Sequence, residues 1–211
     1  MTYRQRLCQF IYAMSLVAIC YYLSGQAQWW FQLTPTLITP SSLDKHIAFN
    51  PVGSWVYVSF WGLILASFCC AAPHRVYTLK WLMTVCALVS AMIYISFPTA
   101  LSYTDMALDN SVNVKLWTFI HQIDNRLAQS QNCLPSLHVA ITILCVWTMY
   151  DKQKPIRSIV WLLWGGWILF AVLQTKRHLV LDVGAGAVLA LVVLLCYACL
   201  KSINFKHKVK C

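Results

Sequence analysis

Two histidines with polar and charged neighbours are the residues best suited to chemistry in this chain. His178 is followed four residues later by Asp182, and residues four apart lie on the same face of a helix. A carboxylate that holds one imidazole nitrogen makes the other nitrogen a better nucleophile or base. We therefore expect His178 and Asp182 to be catalytic residues.

The second histidine lies in the stretch Pro135-Ser136-Leu137-His138. Pro135 suits a first helical turn, where backbone N–H groups and the Ser136 hydroxyl can bind phosphate oxygens. Two histidines near one phosphate allow one to attack phosphorus while the other protonates the departing oxygen. His138 is thus a third candidate catalytic residue, and Ser136 a phosphate ligand.

The elements that position these residues are apolar. Of 211 residues, 60% are hydrophobic and 10% are charged, against about 25% charged in a soluble domain. The sequence predicts an all-α integral membrane protein, a six-transmembrane-helix bundle that forms one domain over residues 1–211. The predicted spans cover about residues 7–23, 52–72, 79–97, 136–150, 156–173 and 179–200.

The segment between the third and fourth spans predicts one further helix. Leu116, Ile120, Ile123 and Leu127 recur at helical spacing with polar residues between them. This pattern is typical of a short amphipathic helix that lies on the outer surface of a membrane.

The distribution of basic residues predicts the orientation. With the N-terminus inside, eleven of the 16 Lys and Arg residues fall in inner segments and five in outer ones. This bias favours two cytoplasmic termini, with both histidines facing outward, which we expect to be the periplasm of a bacterial inner membrane. The same bias explains the net charge of +10, so we expect no nucleic-acid partner.

Each candidate residue also has a simpler explanation. Either histidine alone is as well explained by hydrogen-bonded helix packing, and Lys176 and Arg177 could be interface anchors. His138, His178 and Asp182 are also ordinary ligands of a metal ion. Because the adjacent cations suit an anion better than a metal, we expect no metal ion and no other cofactor.

The motifs resemble those of a known family. Residues 132–140, Asn-Cys-Leu-Pro-Ser-Leu-His-Val-Ala, resemble the second motif of the type 2 phosphatidic acid phosphatase superfamily. Residues 176–186, with Lys-Arg-His before Asp-Val-Gly-Ala-Gly, resemble the third. An earlier segment is similar to the branch that includes inositol phosphorylceramide synthases, through Leu43-Asp44, Phe49, Pro51, Trp55 and Tyr57.

This resemblance implies a mechanism without metal. His178 would form a phosphohistidine, Asp182 would orient it, and His138 would protonate the leaving alcohol. The lysine and arginine of the family's first motif have no counterpart in residues 97–102, and Val172 stands where another arginine is usual. Lys176 and Arg177 would then bind the phosphate, with Lys176 favoured because the related branch keeps a lysine there.

The function expected is a lipid-phosphate phosphatase acting on the outer face of the membrane. Its substrate would be a lipid phosphate such as phosphatidate, a lysolipid phosphate or a polyprenyl diphosphate, and membrane lipids would be further partners. One alternative is a phosphotransferase that moves a phosphoryl or phospho-head group between lipid alcohols. Another is a non-catalytic protein that binds or transports lipid phosphates.

Overall fold

The computed structural model describes residues 1–101, 109–128 and 132–209, without the side chains of residues 124–128 and 204–209. Within these ranges the chain is mainly helical, with two short strands. The helices are α1 (Tyr3–Trp30), α2 (Ser42–His46), α3 (Gly53–Cys70), α4 (Pro73–Ser96), α5 (Val112–Ala128), α6 (Leu137–Met149), α7 (Pro155–Gln174) and α8 (Val180–Val209). The strands β1 (Thr36–Ile38) and β2 (Thr99–Leu101) pair in parallel.

Five helices are long and apolar enough to cross a membrane, namely α1, α3, α4, α7 and α8. Each of the six predicted apolar runs coincides with a helix, so the positions predicted from the sequence agree with the structure. The remaining helix, α6, coincides with the fourth predicted run and has only 13 residues. At 1.5 Å per residue it is about 20 Å long, which is shorter than a hydrocarbon core of about 30 Å.

The short helix α6 lies at the centre of the bundle and packs against α3, α4, α7 and α8. It is apolar on nearly all sides, and a helix of this kind is stable when it is buried. Val139, Ala140, Leu144 and Cys145 have no exposed surface. The side chains of α6 therefore belong to the hydrophobic core, and its first turn is fixed by surrounding helices.

Helix α5 stands where the amphipathic helix was predicted, and it buries residues that the prediction did not name. Val114 and Trp117 pack inward, whereas Ile123 is 40% exposed. The Trp117 indole N–H donates to the Thr175 carbonyl oxygen at 2.8 Å, and this tertiary contact sets the rotation of the helix. The predicted Leu127 side chain lies outside the described residues, and the position of α5 on a membrane surface stays a prediction.

A buried polar network holds the loop that leads into α6. The Gln28 side chain donates to the Tyr94 carbonyl oxygen and to Asn132 Oδ1, at 2.8 and 3.0 Å. Asn132 in turn donates to Ser24 Oγ at 2.9 Å, and the Tyr94 hydroxyl donates to the Pro135 carbonyl oxygen at 2.6 Å. Because buried polar groups are costly when they lack partners, this network fixes the loop that leads into α6 against helices α1 and α4.

Candidate active site

His178 and Asp182 meet at the start of α8. His178 Nδ1 lies 3.4 Å from Asp182 Oδ2, and the aspartate is fully buried. The other contact of Oδ2 is the Leu179 N–H, which donates to it at 3.0 Å, so the first turn of α8 fixes the carboxylate. Among the described residues, neither Asp182 Oδ1 nor His178 Nδ1 has a hydrogen-bond partner. An incompletely satisfied buried carboxylate beside an imidazole is typical of a functional site.

The second histidine, His138, lies in the first turn of α6 and faces the same space. Its ring centroid is 6.2 Å from that of His178. The Tyr57 hydroxyl on α3 is hydrogen-bonded to His138 Nε2 at 2.9 Å, and Phe60 packs against the ring. The two predicted histidines are therefore brought together, and Tyr57 fixes the orientation of one of them.

The starts of α6 and α8 are joined directly. The Ser136 N–H donates to the Asp182 carbonyl oxygen at 3.1 Å. A Cβ atom added at Gly186 would lie 2.4 Å from the Ser136 carbonyl oxygen, so only glycine allows this approach. Ser136 is the N-cap of α6, with Val139 N–H 3.5 Å from its hydroxyl. Pro135, predicted in the first helical turn, therefore lies just before the helix.

The turn between α7 and α8 places the two predicted cations. The Lys176 N–H donates to the Leu173 carbonyl oxygen and the Arg177 N–H to that of Val172, each at 3.1 Å, which is the hydrogen-bond pattern of a Schellman motif. Lys176 takes the left-handed position, with φ of 54°. This conformation directs the two cationic side chains to different partners.

The Lys176 ammonium group is bound to the segment around α2. It donates to the carbonyl oxygens of Asp44, at 2.8 Å, and Ile47. The Asp44 carboxylate accepts the Val180 N–H at 2.7 Å and also caps its own helix through Ser41. Burial opposes ionisation of Asp44, but the hydrogen bonds from Ser41 and Val180, with Lys176 nearby, hold its pKa below the ordinary value. Burial also lowers the pKa of Lys176, which Asp44 partly offsets.

The Arg177 guanidinium extends toward α5 instead. Its Nη1 donates to His121 Nδ1, and the His121 ring stacks on Trp117 with a centroid distance of 5.1 Å. Val172 stands where the family that the motifs resemble usually has an arginine. It is fully buried against Tyr57. Arg177, the residue before His178, thus connects the start of α8 with α5.

An apolar cavity of about 130 Å³ adjoins His138 between α1, α3 and α6. Its walls are hydrocarbon and aromatic, and His138 is the one titratable imidazole among them. The cavity is lined by Met14, Val17, Ala18, Tyr21, Phe60, Trp61, Leu137, His138 and Ile141. A ligand whose polar head group lies at the histidines therefore has room for part of a hydrocarbon chain in this cavity. In the part of the chain that the structure describes, no three His, Cys, Asp or Glu side chains are grouped so that they could hold a metal ion.

Three contributors to this site were not predicted as site residues. Tyr57 and Asp44 were noted only as part of a family resemblance, and their contacts depend on how distant segments pack. His121 lies on the predicted amphipathic helix, four residues after Trp117. This spacing could have placed both rings on one face, but nothing in the sequence pairs His121 with Arg177.

A family model described as the PAP2 superfamily matches residues 26–196. Comparison with curated proteins and with solved structures gave no match. The family generally comprises phosphatases, and membership indicates a phosphatase or phosphotransferase activity. Because the match extends over both histidine motifs and well over half of the sequence, this chain belongs to the PAP2 superfamily.

Proposed function

We propose that the protein is a membrane lipid-phosphate phosphatase that acts through a phosphohistidine on His178. One observation carries the proposal: His178 is backed by a buried Asp182 and lies 6.2 Å, between ring centroids, from His138. This pair stands at one end of a bundle of apolar helices. An enzyme that meets its substrate within a membrane needs reactive polar groups at the end of apolar helices.

The reaction has two steps. His178 Nε2, the nitrogen that does not face Asp182, attacks phosphorus while the bond from phosphorus to the lipid oxygen breaks, and His138 gives that oxygen a proton. Water then attacks the phosphohistidine. His138 takes a proton from this water, the phosphorus–nitrogen bond breaks, and inorganic phosphate leaves. No step requires a metal ion or a cofactor.

The phosphate oxygens would be bound by Arg177, the Ser136 hydroxyl and Lys176, with Arg177 as the main cation. The guanidinium has five N–H donors and can bind phosphate through two of them. His121 holds this side chain beside His178 and would release it to the substrate. The Lys176 ammonium group is bound to two carbonyl oxygens, so we expect it to act mainly by its charge and by fixing the turn.

The lipid chain would enter the apolar cavity beside His138. Burial of hydrocarbon contributes about 0.8 kcal/mol for each CH₂ group, so even a short stretch of chain adds substantial affinity. This arrangement makes a lipid phosphate a better substrate than a soluble phosphate ester.

The proposal includes an orientation. We infer that α6 serves as the sixth membrane helix, with polar recesses at its ends, and that α5 lies on the membrane surface over the site. The histidines would face the periplasm of a bacterial inner membrane, with both termini cytoplasmic, as the excess of inner Lys and Arg favours. Within the superfamily we place the chain near the branch that resembles inositol phosphorylceramide synthases.

The direct test is phosphate release by the purified protein from a panel of lipid phosphates, with a chelator present. We expect release from at least one member and none from His178→Ala. Release that depends on added metal would contradict the mechanism. Thin-layer analysis with an added lipid alcohol separates the alternative, because a phosphotransferase would form a new phospholipid and a phosphatase would not.

The cavity can be tested with a matched pair of substitutions on α1. Ala18 lines the cavity, while Ile19 is exposed on the same helix and does not line it. Ala18→Phe should raise KM for a lipid phosphate about tenfold and leave hydrolysis of a soluble aryl phosphate unchanged, since it removes burial of roughly two CH₂ groups. Ile19→Phe should change neither. Equal effects of both substitutions would exclude the cavity as the chain site.

A further inference from the structure

Besides the apolar cavity, a polar pocket lies at the end of the bundle opposite to His178. It has a volume of about 350 Å³ and is formed where α3 and α6 end and α4 and α7 begin. Thr148, in its wall, is ten residues after His138 on α6, so the two sites are about 15 Å apart along that helix. This pocket takes no part in the chemistry proposed above.

The pocket carries a positive charge that the protein does not neutralise. Arg75, Lys154 and Arg157 line it with one carboxylate, Asp151, which gives three positive charges and one negative, or a net +2. Among the described residues, no ion pair joins Asp151 to these cations. The Asp151 carboxylate instead accepts the Gln153 N–H at 3.0 Å.

The arginines are held in place by the ends of neighbouring helices. Arg75 Nη1 donates to the Thr148 carbonyl oxygen at 3.0 Å, and Arg157 Nη2 donates to that of Cys70 at 3.1 Å. Each contact uses part of a guanidinium that has five N–H donors, so donors remain for a ligand. The side chains are thus fixed before any ligand binds, which lowers the entropy cost of binding.

One buried hydroxyl in the wall has no partner among the described residues. Thr148 is 1% exposed, and its Oγ1 makes no hydrogen bond to this part of the chain. A buried hydroxyl without a partner is costly unless a water or a ligand supplies one. The three cations that line the pocket with Thr148 provide the donors that an oxyanion would need.

We propose that this pocket is a second anion site, which binds the phosphate group of an anionic phospholipid at the membrane surface opposite the active site. A phosphate diester has one negative charge and oxygens that arginine binds through two hydrogen bonds. The volume exceeds that of a phosphate ion and leaves room for the glycerol part of a head group. Free inorganic phosphate has the same recognition chemistry, and the experiment distinguishes the two sources.

The experiment measures the thermal unfolding of the purified full-length protein in a zwitterionic detergent. The additives are short-chain phosphatidylglycerol, short-chain phosphatidylcholine or inorganic phosphate. We expect phosphatidylglycerol to raise the midpoint saturably, inorganic phosphate to bind more weakly, and phosphatidylcholine to have no effect. If inorganic phosphate binds as tightly as the lipid, the lipid source is wrong. If phosphatidylcholine acts like phosphatidylglycerol, the anion site is wrong.

Substitutions at both ends of the bundle locate the site. Lys154→Gln should weaken phosphatidylglycerol binding about fivefold, the effect expected of one lysine near an anionic lipid. Lys152→Gln, an exposed lysine of the same loop that does not line the pocket, is the matched control and should have no effect. Arg177→Gln, at the active site, should leave the response intact. Equal weakening by Lys152→Gln, or loss of the response in Arg177→Gln alone, would overturn the proposal.

Discussion

At the scale of single residues, two adjacent cations have different surroundings. The Schellman turn after α7 sends Lys176 toward α2 and Arg177 toward α5. Spacing alone could not separate them, because both precede His178 directly. Their surroundings depend on which distant group each one reaches, and for this reason we propose Arg177 as the main phosphate ligand, where the sequence had favoured Lys176.

The first prediction compares these cations. Arg177→Gln should lower kcat/KM for a lipid phosphate about 10- to 100-fold, because it removes a charge-assisted hydrogen bond of about 1.5 to 3 kcal/mol. Lys176→Gln should instead lower the stability by about 1 to 2 kcal/mol, with a smaller effect on turnover. Steady-state kinetics and thermal unfolding of both variants provide the check. If Arg177→Gln left kcat/KM unchanged and Lys176→Gln lowered it strongly, Lys176 would be the main phosphate ligand, as the sequence had favoured.

The second prediction concerns Tyr57. Its hydroxyl is hydrogen-bonded to His138 Nε2, so Tyr57→Phe removes this bond and keeps the ring contact. We expect kcat to fall about tenfold with KM nearly unchanged, since His138 would be less well oriented for proton transfer. The pH profile of kcat should also change shape. A normal profile with a raised KM would mean that Tyr57 serves substrate binding instead.

At the scale of elements, the approach of α6 to α8 decides whether the histidines meet. Gly186→Ala would place a methyl group 2.4 Å from the Ser136 carbonyl oxygen, so the helices would have to separate. We expect a loss of stability of about 1 to 3 kcal/mol and a loss of activity beyond that explained by unfolding. The matched control is Gly184→Ala, where an added Cβ meets no atom within 4 Å.

Activity assays and thermal unfolding on both glycine variants decide this prediction. Equal behaviour of the two would mean that the contact at Gly186 does not position the site. A Gly186→Ala protein that is destabilised, but still folded and inactive at the assay temperature, would be the clearest result in its favour. The outcome would then show that the helix spacing matters for catalysis as well as for folding.

The positions of the five long apolar helices were predictable, because an apolar run of this length indicates a helix that can cross a membrane, whereas the short helix α2 was not predicted. The pairing of His178 with Asp182 was also predictable from their spacing of four residues. The hydrogen bond from the Lys176 ammonium group to the Asp44 carbonyl oxygen was not predictable, since it joins residues 132 positions apart. Likewise, the rotation of α5 depends on the Trp117 contact with Thr175, which no local pattern encodes.

At the scale of the whole molecule, the two polar sites lie at opposite ends of one apolar bundle. The positive-inside bias then gives a fourth prediction, on orientation. An epitope tag inserted after Thr34, near the His178 end, should be accessible from outside intact cells. A tag inserted after Lys152, at the other end, should become accessible only after the membrane is opened. The reverse labelling pattern would place the active site in the cytoplasm.

The phosphoryl intermediate provides the most direct test of the proposed function. Wild-type protein and the His138→Ala, His178→Gln and double variants would be incubated with an aryl phosphate, which has a good leaving group, and analysed by mass spectrometry of their peptides at neutral pH. We expect phosphate on His178 in the His138→Ala protein, where hydrolysis of the intermediate is slow, and none when His178 is replaced. Sustained turnover by His178→Gln, or phosphate attached to another residue, would contradict the assignment of His178 as the nucleophile.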